Sequence, residues 1–389
     1  MASFQIIQFG NHTAEDRRLL KRFVDFHWDL YRNEPQYIPL LDYEYLGMKL
    51  IGMTGYFEPA HLFYKHGEIT FFLAEREGKV IGRTCAYINY NHNTHWNDKV
   101  GFFGHFECID DKAVADALLL ASESWLKSKG MDTIRGPINF PVNEATPGTL
   151  TAGFDTMPVI YYHWNYPYYA SLFQHHAMYE AKKVLSMTIS THAPIKERMG
   201  RLIDRILERN NIRVEYFNPK RMKEYSEWML EIYNAAWSDN WGFVPFTREE
   251  FAKNLDDMQL IWDPELFMFA FVDDQPAAFL GLIPNICMGM KPIPGMRRAE
   301  LLRAAKMILT KRSLDTLRLG YLGIRPQFRK MGLDAILITK GQETLLRKGY
   351  ETSDIGWVLE NNELILRLSQ SIEAYPARTY TVFEKRLNI

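Results

Sequence analysis

Residues 322–337 read LGIRPQFRKMGLDAIL. Leu322 to Ile324 closes a strand, and Pro326 breaks the ladder because it lacks an N–H and its ring fixes φ. Arg329, Lys330, Met331 and Gly332 form a short basic turn. A helix pattern follows at once, with Leu333, Ile336, Leu337, Leu345 and Leu346 along one side. A helix start offers unpaired N–H groups and the positive end of the dipole, both suited to phosphate. Gly332 lets backbone approach an anion closely, and Arg329 and Lys330 add positive charge. The same pattern also describes an ordinary strand-to-helix turn with solvated basic residues.

The spacing resembles the R-x-x-G-x-G/A loop of the GNAT acyl-CoA N-acyltransferases, standing here as Arg329-Lys330-Met331-Gly332-Leu333-Asp334 after a hydrophobic strand and a proline. It departs at Asp334, where the family prefers glycine or alanine. The resemblance implies that backbone N–H groups of residues 329–334 take a pyrophosphate. It implies that Leu322, Gly323 and Ile324 hold the pantetheine and polarise the thioester as an oxyanion hole does. Asn361 or Asn362 matches the asparagine that opens the next family helix, a position equally suited to an N-cap. Many members carry a catalytic tyrosine seven residues later. Ser369 stands there instead, and serine is a poor general acid. Tyr375 and Tyr380 lie near by, and Tyr380 also fits a core aromatic.

Working outward, the order at 316–386 is strand, helix, strand, helix, strand. The first half repeats the plan: helix at 14–32, strands at 69–75, 80–89 and 100–108, a polar loop at 91–98, a helix at 113–128 stopped by Gly130, a strand from Thr133, and a helix near 168–177. Lys129-Gly130-Met131-Asp132 echoes Lys348-Gly349-Tyr350-Glu351, and Asn165 precedes its helix as Asn362 does. Glu107-Cys108-Ile109-Asp110-Asp111 stands where the first half would need its basic turn, so charge argues against a phosphate there. The expected fold class is α/β with a mixed sheet: two GNAT-like domains in tandem, 1–195 degenerate and 196–389 carrying the acyl-CoA loop.

At 389 residues two domains are the expectation. Apolar content of 47% and charged content of 24% are those of a water-soluble globular chain, and Lys+Arg 46 against Asp+Glu 47 predicts no nucleic-acid footprint. Cys85, Cys108 and Cys287 fit neither a disulfide framework nor a zinc pattern. The N-terminus lacks a signal-peptide core, and no apolar run of about 18 residues is present, so a cytoplasmic protein with no membrane partner is expected. His92, His95, His175 and His176 do not form a metal pattern.

Residues 234–251, NAAWSDNWGFVPFTREEF, place Asp239, Asn240, Trp241 and Phe243 around Gly242, where the family's acceptor-binding helices fall. Thr247 and Glu250 predict a capping box. The loop 137–153, with Asn139, Asn143 and Glu144, is a weaker candidate to close a site. The expected activity is acyl transfer from acetyl-CoA or a longer acyl-CoA to a small amine or amino-acid-like acceptor, without a metal. Transfer from an aminoacyl-tRNA and a non-catalytic ligand binder on the same fold are the alternatives.

Overall fold

A computed structural model describes residues 3–140, 147–195, 200, 203, 205–207, 211–258, 263–296 and 298–387. The strands are β1 Gln5–Phe9, β2 Gly67–Arg76, β3 Lys79–Asn89, β4 Val100–Cys108, β5 Thr133–Gly136, β6 Thr149–Ala152, β7 Tyr179–Ser190, β8 Ile212–Tyr216, β9 Phe267–Val272, β10 Gln275–Pro284, β11 Thr316–Ile324, β12 Thr352–Leu359 and β13 Tyr375–Arg386. The chain forms two contact units. The first is Met1–Val184 with Met290–Ala305 and Arg378–Ile389, and the second is Leu185–Gly289 with Lys306–Ala377.

In the first unit the strand order is β1-β2-β3-β4-β5-β13, with β6 also on β13. Glu77 and Gly78, both left-handed, turn β2 into β3 as a two-residue hairpin. The helix Lys112–Ser128 lays Val114, Leu118 and Leu126 against this sheet. Phe103, Phe106 and the helix Tyr169–His175 complete the core. The second unit runs β7-β12-β11-β10-β9-β8. Asp273 and Asp274, with φ of 47° and 61°, close the β9–β10 hairpin. Every residue of β9 is buried, as a strand covered on both faces requires. The helix Leu333–Lys348 packs on β9 and β10, and the helix Met222–Trp237 packs on β10 and β11. A Cβ at Gly341 would fall 2.8 Å from Leu280 Cδ2, so glycine sets that close helix–sheet approach.

The division at 195/196 expected from sequence is contiguous, whereas these units interleave. β5 has only four residues and would leave an open edge. The chain's last strand fills it, pairing Phe383 with Gly136 and Arg386 with Thr133. The segment 290–305 is held to the first unit by Arg303. This fully buried guanidinium donates to the carbonyls of Met290 and Pro39 and pairs with Glu300 at 2.8 Å. Arg303→Ala would leave a half-buried carboxylate and two carbonyls without their donor. A loss of about 3–5 kcal/mol is expected, read as a fall in unfolding free energy in urea. A variant as stable as the wild type would show that the segment is not anchored there.

The stretch expected as a polar loop at 91–98 is the helix Tyr90–Trp96. It lacks an apolar period, and the Asn89 side chain makes it by accepting from the Asn91 and His92 N–H groups. The three cysteines are buried free thiols. His92 faces Asp98 at 3.5 Å. His176 sits between Asp116 and Glu123 at 2.9 and 2.8 Å.

Candidate functional site: an opened strand and a left-handed basic loop

β11 is held on its two sides differently. Against β10 it pairs along its whole length, from Leu317 with Pro284 to Ile324 with Ala278, and a bulge falls at Gly320. Against β12 the parallel ladder covers Thr316–Leu319 with Thr352–Ile355 and goes no further, although both strands continue. The two strands part at the bulge, as bulges bend and twist a strand. Arg318 marks the fork. Only 2% exposed, it donates to the Gly356 carbonyl at 2.9 Å and lies over the Trp357 ring. Tyr321 to Ile324 therefore lie in the opened stretch, which includes Leu322, Gly323 and Ile324. A Cβ at Gly323 would come within 2.7 Å of the Trp237 ring, so only glycine permits that ring its place.

The chain leaves β11 through the turn Pro326–Phe328 and enters the basic loop. Lys330 and Gly332 are both left-handed, with φ of 70° and 75°, a conformation uncommon for a lysine. Gly332 is the N-cap of Leu333–Lys348, and no side chain among the described residues caps that end. Arg329 is exposed and donates to the Ala236 carbonyl at 3.1 Å, tying the loop to the end of the helix Met222–Trp237. Arg325 pairs with Glu231 at 2.6 Å. Lys330 is exposed, and Met331 and Asp334 are half-buried, Asp334 in the first turn where an acid suits the dipole.

Asn362 takes the capping role. Its side chain accepts from the Ile365 N–H at 3.3 Å, and Asn361 lies exposed before it. Ser369 is 1% exposed, at the end of the helix Glu363–Ser371. Tyr380 belongs to the other unit. Fully buried, it donates its hydroxyl to the His163 carbonyl at 2.9 Å and stacks on Tyr162. It is a core tyrosine, and a strand pattern alone could not reveal that β13 is lent to the first unit.

The stretch 238–247 is fastened by Asn234, whose side chain both accepts from and donates to Phe246 backbone. Thr247 and Glu250 form the capping box. Phe243 packs on Tyr233, and Tyr233 also meets Trp237 and Tyr321. Asp239 accepts from Ser238, and the Asn240 N–H bonds the Trp237 carbonyl; Trp241 is half-buried beside them. Tyr233 and Tyr321 are phenols that the sequence reading passed over. Burial, then the neighbouring Tyr321, pushes the Tyr233 hydroxyl well above its usual range, so it stays protonated at neutral pH.

The first unit shows the same fork, filled. β4 pairs with β5 only from Val100 to Phe102. Beyond that, Ile138 donates to the Phe103 carbonyl at 2.8 Å, and the His105 N–H bonds the Asn139 side chain at 2.7 Å. A Cβ at Gly104 would fall 2.2 Å from the Ile138 carbonyl oxygen. The chain itself occupies the gap. The following helix is capped by Asp111, which accepts from Ala113 and Val114, so an acid closes the position that Gly332 leaves open. Asn139 is thus a structural plug. Asn143 and Glu144 lie outside the described residues. Deeper in this unit Glu107 accepts from Tyr31 and Tyr169, and burial raises its carboxyl.

No family model matches the chain. It is 29% identical over 380 residues to Protein YghO of Escherichia coli K12, covering 95% of this chain and 93% of that one. It is 27% identical over 377 residues to the bacterial ceramide synthase of Caulobacter vibrioides, covering 95% of each. Among solved structures, a tandem GNAT protein from the clavulanic acid biosynthesis pathway matches 100% of this chain and 99% of its own, with TM-score 0.55 and 10% identity. A GCN5-related N-acetyltransferase from Sphaerobacter thermophilus matches 99% and 96%, with TM-score 0.52 and 13% identity. With a strand opened in one unit and the same fork filled in the other, the chain has a tandem GNAT fold.

Proposed function

We propose that the second unit binds a fatty acyl-CoA and transfers its acyl group to the primary amine of a long-chain amino alcohol or a similarly amphiphilic amine. The observation that carries this reading is the open β11 edge running straight into an uncapped, left-handed basic loop. An extended thioester arm can lie along the edge, with its pyrophosphate on the loop N–H groups. The acceptor class draws on the relative named a ceramide synthase, since a ceramide is the amide of a fatty acid and a long-chain amino alcohol. The amine nitrogen attacks the thioester carbon, the C–S bond breaks, the thiolate takes up a proton, and the amine loses one to water. For the thiolate's proton this reading turns from the sealed Ser369 and from Tyr380, which belongs to the first unit, to Tyr321, half-buried in the opened stretch beside Tyr233.

The test is purified protein with palmitoyl-CoA and sphinganine, set beside acetyl-CoA and a small diamine, scored by thiol release and by amide mass. The long-chain pair is expected to turn over. Tyr321→Phe, which keeps the ring contacts with Tyr233 and Phe279, is expected to lower kcat by roughly 100-fold or more with KM little changed. Turnover confined to the acetyl pair, or thiol release without an amide, would refute the acceptor and donor assigned here.

A further inference from the structure

The segment between β10 and β11 carries a helix built the wrong way round for a water-soluble surface. In Glu300–Thr310 the inward positions are Arg303, fully buried, and Met307, 9% exposed. The exposed positions are Leu301 at 59%, Leu302 at 50%, Ala305, Ile308 at 41% and Leu309 at 81%. Their spacing of i, i+1, i+4, i+7 and i+8 places them on one face. No charged residue interrupts that exposed stripe, and Met296 just before it is 53% exposed. A contiguous exposed apolar face on a soluble protein marks a contact with something apolar.

The charge around the stripe names the contact. Residues 291–313 hold seven Lys or Arg against one Glu, and with Arg303 buried on Glu300 six cationic residues remain, in a chain whose net charge is −1. Arg298, Lys306 and Lys311 flank the apolar positions, and the Arg298 side chain is 46% exposed while pairing with Asp25 at 3.3 Å. A protein partner would meet the stripe with its own apolar face and needs no cationic rim. An anionic bilayer surface supplies both the acyl boundary for the leucines and phosphates for the rim. At about 16 Å the helix can lie in the interface, and no described helix is long and apolar enough to cross it.

We infer that the helix Glu300–Thr310 is an interfacial membrane anchor that seats the protein on anionic lipid, with Leu301, Leu302, Ile308 and Leu309 in the acyl boundary. This replaces the expectation of no membrane partner. The same segment bears on access to lipid. Lys291, Pro292, Ile293 and Pro294, a few residues upstream, form one wall of a cleft of about 350 Å³ whose other wall includes His27, Trp28 and Tyr37. A helix lying on the bilayer would hold that cleft's rim at the headgroup level.

The experiment is flotation of the full chain with vesicles of phosphatidylcholine alone or mixed with phosphatidylglycerol. Wild type is expected to float with the anionic vesicles, and at least tenfold less with neutral vesicles or at high salt. Leu301→Asp with Leu309→Asp is expected to lower the bound fraction at least tenfold without moving Tm, since both side chains are exposed. Leu309→Trp is expected to bind and to show blue-shifted emission on anionic vesicles only. Wild type left in the soluble fraction would overturn the inference. So would equal flotation of the double variant, or a double variant whose only change is from oligomer to monomer, which would make a second copy the occupant. No turnover is read, so this result stands apart from that of the acyl-transfer assay.

Discussion

Acidification from about pH 8 to about pH 5 is expected to cost the first unit on the order of 4 kcal/mol of stability, through two histidines held neutral in its core. His27 is 1% exposed, and burial lowers its pKa to about 4, against an opposing pull from Asp42. His105 is 6% exposed, and burial, then the Arg83 charge, lowers it to about 3. The unfolded chain titrates near the ordinary value of about 6.5, so between that value and the folded ones the unfolded state binds more protons. Stability therefore rises with pH through this window and is lost as pH falls below about 6.5. At pH 5 each group contributes about 2 kcal/mol. His163, half-buried and also lowered to about 4 by burial, acts in the same sense. Glu107, raised by burial, acts in the opposite sense: its native carboxyl binds the proton more tightly, which favours the folded state on acidification. One carboxyl does not outweigh the histidines. A fall in Tm on the order of 10 °C is expected. Calorimetry across the range, with His27→Gln/His105→Gln beside the wild type, tests it. The double variant should lose at least half of the slope, and equal slopes would mean that other groups control the acid response.

Most of the second unit could be read from its residues because its signals are local. The β9–β10 hairpin sits on an Asp-Asp turn, the helix at 222–237 has a clean apolar period, and Gly349 with φ of 79° ends the helix at Lys348. The loop 329–334 was legible because glycine and two cations stand at a strand-to-helix junction. What escaped the sequence depends on distant pairing. β7 and β8 lack strong alternation, and the allocation of β13 to the first unit is settled by partners more than 200 residues away, as with Phe383 and Gly136. That allocation is why Tyr380, close in sequence to Ser369, shares no unit with it. The fork at Leu319/Ile355 was implied by family likeness and has no local signal of its own beyond Gly320 and Gly323. The phenols Tyr233 and Tyr321 were missed because each reads as an ordinary core aromatic until the packing of a helix on β11 brings them together. Burial patterns also hid the inverted helix at 300–310, since an apolar period says which residues share a face but not which face turns inward.

One donor molecule per chain, bound in the second unit and lost in Gly332→Glu, is the other large effect expected. Both units carry the fork between two parallel strands that an extended thioester could enter, so fold alone would allow two. In the first, Ile138 and Asn139 already satisfy the groups of Phe103 and His105. The Asp111 carboxylate accepts from the helix N–H groups and from Arg76, so a pyrophosphate there would meet a closed end. In the second, no side chain among the described residues caps the N-terminal end, and Lys330 and Arg329 are exposed. Glutamate at Gly332 would carry a Cβ in a conformation that costs a non-glycine residue about 1 kcal/mol. Its carboxylate would also lie where the phosphates must, so a weakening of 100-fold or more, about 2.7 kcal/mol, follows. Gly332→Ala separates the two causes. It keeps the strain and the contact with Ile206, whose flexible Cδ1 lies 2.4 Å from the added Cβ, but adds no charge. A loss of tenfold or less is expected from it. Calorimetric titration with a fatty acyl-CoA, supported by far-UV spectra that confirm folding, should give a stoichiometry near one for the wild type and for Asp111→Asn, and no measurable heat for Gly332→Glu. A stoichiometry of two, or a loss in Asp111→Asn with Gly332→Glu unaffected, would move the donor to the first unit and require that the plug at Ile138 and Asn139 opens.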